Sequence, residues 1–112
     1  MNLGSLQVVR FGDIPSLHEF LFENGVEHQT FWNELTRKGY AVPKLPIMDA
    51  DTANLDDWLL YHYREHDQMA KLLNLQNPIN LLDTDWNVEV DFYDWVSTHY
   101  IIHSQIISAL GL

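Results

Sequence analysis

The chain has 112 residues, 46% of them hydrophobic, and carries sixteen acidic against six basic residues, for a net charge of −10. It contains no cysteine, which excludes disulfides, iron–sulfur clusters and cysteine-ligated zinc. The scarcity of Lys and Arg argues against direct binding to nucleic acid or to an anionic membrane surface. This length predicts one domain, and no apolar run approaches the ~20 residues that span a bilayer.

Residues 1–13 come before any helical pattern and are predicted to form an extended N-terminal arm. Apolar residues alternate weakly along it, as in a strand that adds to the sheet edge of a partner protein. A disordered tail is the alternative. The residues of the arm that would contact the partner are Leu3, Leu6, Val8, Val9 and Phe11.

From residue 14 onward the chain repeats one pattern. Residues 55–75 and 92–112 read LDDWLLYHYREHDQMAKLLNL and FYDWVSTHYIIHSQIISALGL, and they share eight identical positions at a spacing of 37. A weaker copy begins at Leu17, offset by 38 from the second, so that Asn24 and His28 align with His62 and His66. A period of this size indicates one supersecondary unit used several times.

Apolar residues in each copy are spaced three or four apart, which is helical spacing. We therefore predict an all-α fold in which residues 14–112 form a single domain, a small bundle of three quasi-repeated helices. The predicted helices span about 16–38, 55–74 and 92–110. The spacing of the inward-facing residues continues without interruption across Gly25. This favours a continuous first helix despite the turn-forming Asn24-Gly25 pair.

Polar residues mark the predicted helix ends. A capping box, in which two side chains satisfy free backbone amides reciprocally, is predicted at Ser16 and Glu19. Equivalent pairs start the other helices: Asn54 with Asp57, and Asp91 with Asp94. The predicted stops tolerate the left-handed conformation of a helix end: Gly39, Asn74 and Gly111.

The linkers at 40–53 and 76–90 are longer than the ~2–8 residues that usually join antiparallel helices. They are long enough to return the chain, so that every helix starts at the same end of the bundle. Alternatively, their apolar residues cap an ordinary up-and-down bundle, namely Leu45, Ile47, Leu81, Leu82 and Trp86. General frequency favours the up-and-down arrangement.

Paired histidines stand four residues apart in two copies. Such pairs on two helices can bind zinc or another divalent transition metal, and Glu65 and Asp94 could accept hydrogen bonds from the ligands. The candidate ligands are His62, His66, His99 and His103. The same stripe carries large apolar residues, and the first copy places Asn24 at a histidine position, which favours packing over metal binding. A pH-sensitive interface is a third interpretation. In the favoured one, these side chains face inward: Trp58, His62, His66, Trp95, His99 and His103.

Catalytic signatures are weak. The chain has no glycine-rich phosphate loop and no serine in a nucleophile-elbow context. The Glu-x-x-His pattern of di-iron carboxylate proteins does not occur along the seam. We expect no enzymatic activity and no cofactor apart from the metal alternative.

The sequence patterns of the chain resemble those of small helical proteins encoded among the structural genes of tailed bacteriophages. The resemblance rests on the pattern Trp-x-x-x-His-x-x-x-His used twice, the ending SALGL at 108–112, and the opening SLHEFLFENG at 16–25 with EHQ at 27–29. It implies a structural or assembly role in the baseplate, neck or head of a virion assembled in the host cytoplasm. Its partners would be other virion proteins, with several copies in a larger assembly.

Overall fold

The computed structural model describes residues 9–43, 55–75 and 85–112. Three helices make up the described fold: α1 Ile14–Arg37, α2 Leu55–Leu73 and α3 Glu89–Leu110. The prediction of a small all-α bundle is confirmed. None of these helices carries an apolar stretch long enough to cross a lipid bilayer. Helix α1 runs without a break through Gly25, as the phase of its seam predicts.

Two helix starts differ from the prediction. Helix α1 begins at Ile14, capped by Asp13, whose side chain accepts a hydrogen bond from the Ser16 backbone N–H. Pro15 fits this first turn because a helix needs no N–H there, so the helix starts before Ser16. Helix α3 begins at Glu89, after an extended Val88 that makes no side-chain cap. Asp91 therefore lies within the first turn, where its negative charge interacts favourably with the positive end of the helix dipole.

The three helix ends share one motif, as predicted. Gly39, Asn74 and Gly111 all have positive φ, at 89°, 57° and 72°. In each case the next residue donates its backbone N–H to the carbonyl five positions earlier. These bonds run from Tyr40 to Leu35 (3.0 Å), from Leu75 to Ala70 (2.7 Å) and from Leu112 to Ile107 (3.0 Å). This is the hydrogen bond of the Schellman motif, and it occurs at the end of each of the three helices.

All three helices point the same way. One apolar cluster joins the N-terminal halves of the helices, including Phe20, Trp58 and Trp95. A second joins their C-terminal halves, including Phe31, Met69 and Ile106. The up-and-down arrangement favoured on general frequency is therefore wrong. The long linkers account for the difference, because each is long enough to carry the chain back along the helix it follows.

Because the helices are parallel and share a repeat, equivalent residues meet at the same height and form layers, each with one residue per helix. The buried layers run from the aromatic one at the helix starts to the aliphatic ones at the helix ends: Phe20/Trp58/Trp95, Asn24/His62/His99, His28/His66/His103 and Phe31/Met69/Ile106. The predicted inward orientation of Trp58, His62, His66, Trp95, His99 and His103 is confirmed. Polar layers thus lie in the middle of the bundle, between apolar ones.

Residues near the chain start and the second linker cover the aromatic end. Val9 is buried in the first apolar cluster, and the ring of Phe11 packs edge-on against Phe92 at 5.6 Å. Trp86 lies 5.0 Å from Trp95 between ring centroids. Of the remaining linker residues predicted to pack, Leu45, Ile47, Leu81 and Leu82 lie outside the described residues.

Candidate metal centre

Five imidazoles meet at the centre of the bundle, in what we call the imidazole cluster: His28, His62, His66, His99 and His103. All five are buried, and one nitrogen from each lies within 4.8 Å of the corresponding nitrogen of every other. The helical repeat explains the convergence. Positions four apart share one helix face, and three parallel helices turn that face towards a common axis.

Three of these residues form the histidine triangle, one from each helix: His28, His66 and His103. Their Nε2 atoms are 3.1 Å apart along all three edges. One turn towards the helix starts lies the upper layer, made of Asn24, His62 and His99. The Nε2 atoms of His62 and His99 are 2.8 Å apart. His62 also approaches His66 at 3.1 Å between Nε2 atoms, which joins the two layers.

Hydrogen bonding alone does not satisfy the histidine triangle. A neutral imidazole nitrogen either carries one hydrogen or offers one lone pair. Among three mutually adjacent nitrogens, at least two must therefore be of the same kind and repel each other. A metal ion accepts the lone pairs of all three at once. Imidazole nitrogens bind zinc at ~2.0–2.1 Å, so two ligands of one such ion are at most ~4.2 Å apart, somewhat less than the 4.8 Å within which all five nitrogens lie.

Buried carboxylates lie behind two members of the histidine triangle. Glu27 Oε1 is 3.0 Å from His103 Nδ1, and Glu65 Oε1 is 3.2 Å from His28 Nδ1. The indole N–H of Trp32 also donates to Glu65 Oε1 at 2.5 Å. A carboxylate at Nδ1 accepts the Nδ1–H hydrogen and so leaves the Nε2 lone pair pointing into the cluster. This is the arrangement that orients histidine ligands at metal centres.

The carboxylates follow the repeat in a cyclic order. Glu27 of α1 serves the histidine of α3, and Glu65 of α2 serves the histidine of α1. The equivalent position in α3 is Ile102, which offers no acceptor. His66 of α2, the remaining member of the triangle, accordingly has a buried Nδ1 without a partner among the described residues. In the same part of the chain, the Nδ1 atoms of His62 and His99 also lack one.

Burial lowers the pKa of four of the imidazoles well below the ordinary value of 6.5, and the neighbouring imidazoles lower it further. These are His62, His66, His99 and His103. Because the neutral imidazole is the form that ligates a metal, the site keeps its lone pairs available. Burial also raises the pKa of Glu27 to about 8, with a further contribution from the charge of Glu23.

Large side chains enclose the cluster at both ends. His62 stacks on Trp58 with ring centroids 4.7 Å apart, and His99 stacks on Trp95 at 4.6 Å. On the other side the ring of Phe31 lies 5.2 Å from that of His103. Met69 and Ile106 complete the layer beneath and are almost fully buried. The side chains that touch the cluster therefore separate it from solvent.

The structure brings together all four histidines that the sequence singled out as candidate ligands. It adds His28, which the repeat alignment had already placed opposite His66. Glu65 lies behind the cluster as expected, whereas Asp94 is exposed on the outer face of α3 and does not contact it. Glu27 was missed. The signal was a second repeat, since a Glu-His pair occurs both at 27–28 and at 65–66.

Of the residues predicted to contact a partner, the two that the structure describes lie apart from the cluster. Val9 and Phe11 pack against the aromatic end of this chain, and the Phe11 backbone N–H donates to the Tyr93 hydroxyl at 3.3 Å. Leu3, Leu6 and Val8 lie outside the described residues. Partner binding by the arm stays a prediction.

Comparison with protein-family models, with curated proteins and with solved structures finds no match for this chain. The resemblance to phage virion proteins therefore stays a prediction, and the function must be inferred from the geometry of the imidazole cluster.

Proposed function

We propose that this protein binds one divalent transition-metal ion in the imidazole cluster and that the ion ties the three parallel helices together. The observation that carries the proposal is the convergence of five buried Nε2 atoms, with edges of 2.8–3.1 Å, inside a shell of aromatic and apolar side chains. Imidazole is a preferred ligand of zinc, copper, iron and nickel. Each helix contributes at least one ligand, so a bound ion would cross-link the whole bundle.

The buried charges support a cation. Glu27 and Glu65 are almost fully buried, and no Lys or Arg is buried among the described residues. Buried carboxylates are normally paired with a positive charge, because an unpaired one is costly to remove from water. Burial raises the pKa of Glu27 to about 8, and a divalent ion nearby would favour its ionised form. Such an ion among neutral imidazoles would balance two carboxylates and leave the centre without net charge.

The enclosure of the cluster favours a structural role over a catalytic one. Catalytic metal sites keep a position open for water or substrate, whereas structural sites are closed by protein ligands. Trp58, Trp95 and Phe31 cover the cluster from both ends. The proposed function is therefore non-enzymatic.

This proposal also accommodates the assembly role predicted from the sequence. Binding of a structural metal contributes directly to the folding free energy of a small domain. A metal-locked bundle would present a rigid surface to other proteins, as a component of a phage particle must. We keep the virion assignment as a proposal of its own, based on the resemblance.

Metal analysis and thermal melting of the full chain test the metal proposal. We expect about one metal ion per chain. At a thousandfold excess over Kd, an ion that binds only the folded state adds about 4 kcal/mol. For a domain of this size that raises Tm by roughly 15–30 °C relative to the chelator-treated chain.

The test variant is His66→Ala, since His66 contacts three other imidazoles of the cluster through its Nε2. The matched control is His18→Ala, which removes an exposed histidine of α1. We expect the metal-dependent rise in Tm to disappear in the first variant and to persist in the second. A wild-type chain that holds no metal and melts identically with and without chelator would refute the proposal.

A further inference from the structure

Asn24 occupies the one place in the two central layers that is not a histidine. The repeat aligns it with His62 of α2 and His99 of α3, and it stands one helical turn before His28. Residues four apart on a helix lie on the same face. Asn24 is therefore the α1 member of the upper layer, and its side chain shares the buried face from which His28 enters the cluster.

The Asn24 amide is fully buried, with 0% of the residue exposed. Neither its Oδ1 nor its Nδ2 has a hydrogen-bond partner within the described part of the chain. Buried side-chain amides are almost always hydrogen-bonded, so an amide without a partner at this position requires an explanation. The amide oxygen is also a metal ligand in its own right.

The distances within the cluster can be compared with those between the ligands of one metal ion. With metal–ligand bonds of ~2.1 Å, adjacent ligands are ~3.4 Å apart in a tetrahedron and ~3.0 Å apart in an octahedron. The observed Nε2 separations are 2.8 Å in the upper layer and 3.1 Å in the histidine triangle. Two stacked triangles, rotated relative to each other, form an octahedron viewed along its threefold axis. In such an arrangement five corners would be histidines, and the repeat aligns Asn24 with the sixth.

We propose that Asn24 Oδ1 is the sixth ligand of the metal, which completes an octahedral site of five nitrogens and one oxygen. This inference rests on the proposed metal-binding function and makes it more specific. Six neutral ligands in an octahedron suit Fe²⁺, Co²⁺ or Ni²⁺, whereas structural zinc sites are almost always four-coordinate. The natural ion would then be one of these metals, and zinc would lose its usual geometry here.

Cobalt titration of the full chain tests the proposal, because the visible absorption of Co²⁺ is weak in six-coordinate sites and intense in four-coordinate ones. We expect the wild-type chain to give the weak spectrum. Asn24→Ala should weaken Co²⁺ binding by at least ~10-fold, since even partners behind the ligands are worth about 10–100-fold. Asn24→His should keep the tight binding and move the absorption bands to higher energy, because imidazole is a stronger-field ligand than an amide oxygen.

The control is Asn33→Ala, which removes an exposed asparagine from the same helix and should leave both affinity and spectrum unchanged. Unchanged Co²⁺ affinity in Asn24→Ala, or unchanged bands in Asn24→His, would overturn the assignment of Asn24 while leaving the metal site intact. A wild-type chain that binds no Co²⁺ would instead refute the proposed function itself.

X-ray absorption of the Ni²⁺-loaded wild-type chain provides a second measurement that does not depend on how well a variant folds. Six nitrogen or oxygen neighbours at about 2.1 Å are expected for the complete octahedron. Five or fewer neighbours would contradict it.

Discussion

The two central layers are built from equivalent positions of the same repeat, yet they differ in chemistry. The histidine triangle has an imidazole from every helix, and two of its three members are backed by a buried carboxylate. The upper layer has two imidazoles and Asn24, and no carboxylate stands behind its histidines among the described residues. The repeat thus sets where side chains meet, while single substitutions within it set what each layer can bind.

Acidification should have the strongest effect, which is on the stability of the metal-free protein. It should affect both layers, because the histidine pKa is lowered in the upper layer and in the histidine triangle alike. The residues are His62 and His99 in the upper layer, and His66 and His103 in the triangle. These imidazoles stay neutral in the fold and gain protons on unfolding below pH 6.5. In the metal-free protein these neutral histidines therefore do not lower the free energy of unfolding above pH 6.5. Below that pH the free energy of unfolding falls as the pH falls. Each group contributes a slope of about 1.4 kcal/mol per pH unit.

Glu27 opposes this trend. Its pKa is raised to about 8, so it favours the fold at low pH and this contribution is lost as pH rises from 4.5 to 8. Four histidines against one glutamate leave a net loss of stability on acidification below pH 6.5, with a slope of at most about 4 kcal/mol per pH unit. Urea denaturation of chelator-treated protein at pH 7, 6 and 5 measures it. A stability that does not change over this range would mean that neither layer excludes protons.

A smaller effect separates the layers. Glu27→Gln keeps an acceptor for His103 Nδ1 but removes the carboxyl group that can become negative behind the histidine triangle when a metal binds. Partners of this kind are worth roughly 10–100-fold in metal affinity, which calorimetric titration would measure. The metal-free variant should be at least as stable as wild type near pH 8, because the buried group no longer ionises.

Glu19→Gln is the control, since it neutralises an exposed glutamate on the same helix. For Glu27→Gln we expect metal affinity to fall while metal-free stability does not. This combination would show that the Glu27 charge contributes to metal binding. Equal losses in both properties would indicate a packing role instead.

The weakest effect on metal affinity should come from completing the cycle of carboxylates. Ile102→Glu places a glutamate at the α3 position equivalent to Glu27 and Glu65, where it can reach the unpartnered Nδ1 of His66. Metal affinity should rise by up to ~10-fold. The metal-free protein should lose a few kcal/mol of stability, because Ile102 is buried in the second apolar cluster, at the C-terminal halves of the helices, and a charge there is costly.

Ile102→Gln is the matched variant, with the same length and no charge. It should reproduce the loss of metal-free stability only in part and should raise the affinity less than the glutamate does. If both variants bind metal no better than wild type, the cyclic order of the carboxylates has no bearing on the site.

Much of the fold could be predicted because its signals are local. The three-and-four spacing identified the helices, and Gly39, Asn74 and Gly111 marked their ends, since left-handed residues stop a helix wherever they occur. The starts were harder. Pro15 moved the first cap back to Asp13, and Val88 started α3 without a side-chain cap. Helix direction was mistaken, because the length of a linker permits a parallel return without requiring it.

The candidate site divides in the same way. The paired histidines and Glu65 were visible as residues on one helix face, and His28 stood in the alignment. The pairing of Glu27 with His103 was not visible, because it joins residues 76 positions apart on different helices. Asn24 was interpreted as evidence against a metal, since a layer with one amide looks incomplete until the five imidazoles of the two layers are seen to converge.

Each helix carries one buried stripe with polar residues at equivalent heights, and this much is set by the sequence alone, because helical periodicity and a period of 37–38 residues are properties of the chain. That these stripes meet in parallel, with one nitrogen from each of five imidazoles within 4.8 Å of the others, emerged only from the tertiary structure. A ligand set is a relation among three helices. It depends on their direction and their height along a common axis, and neither is encoded within any single helix.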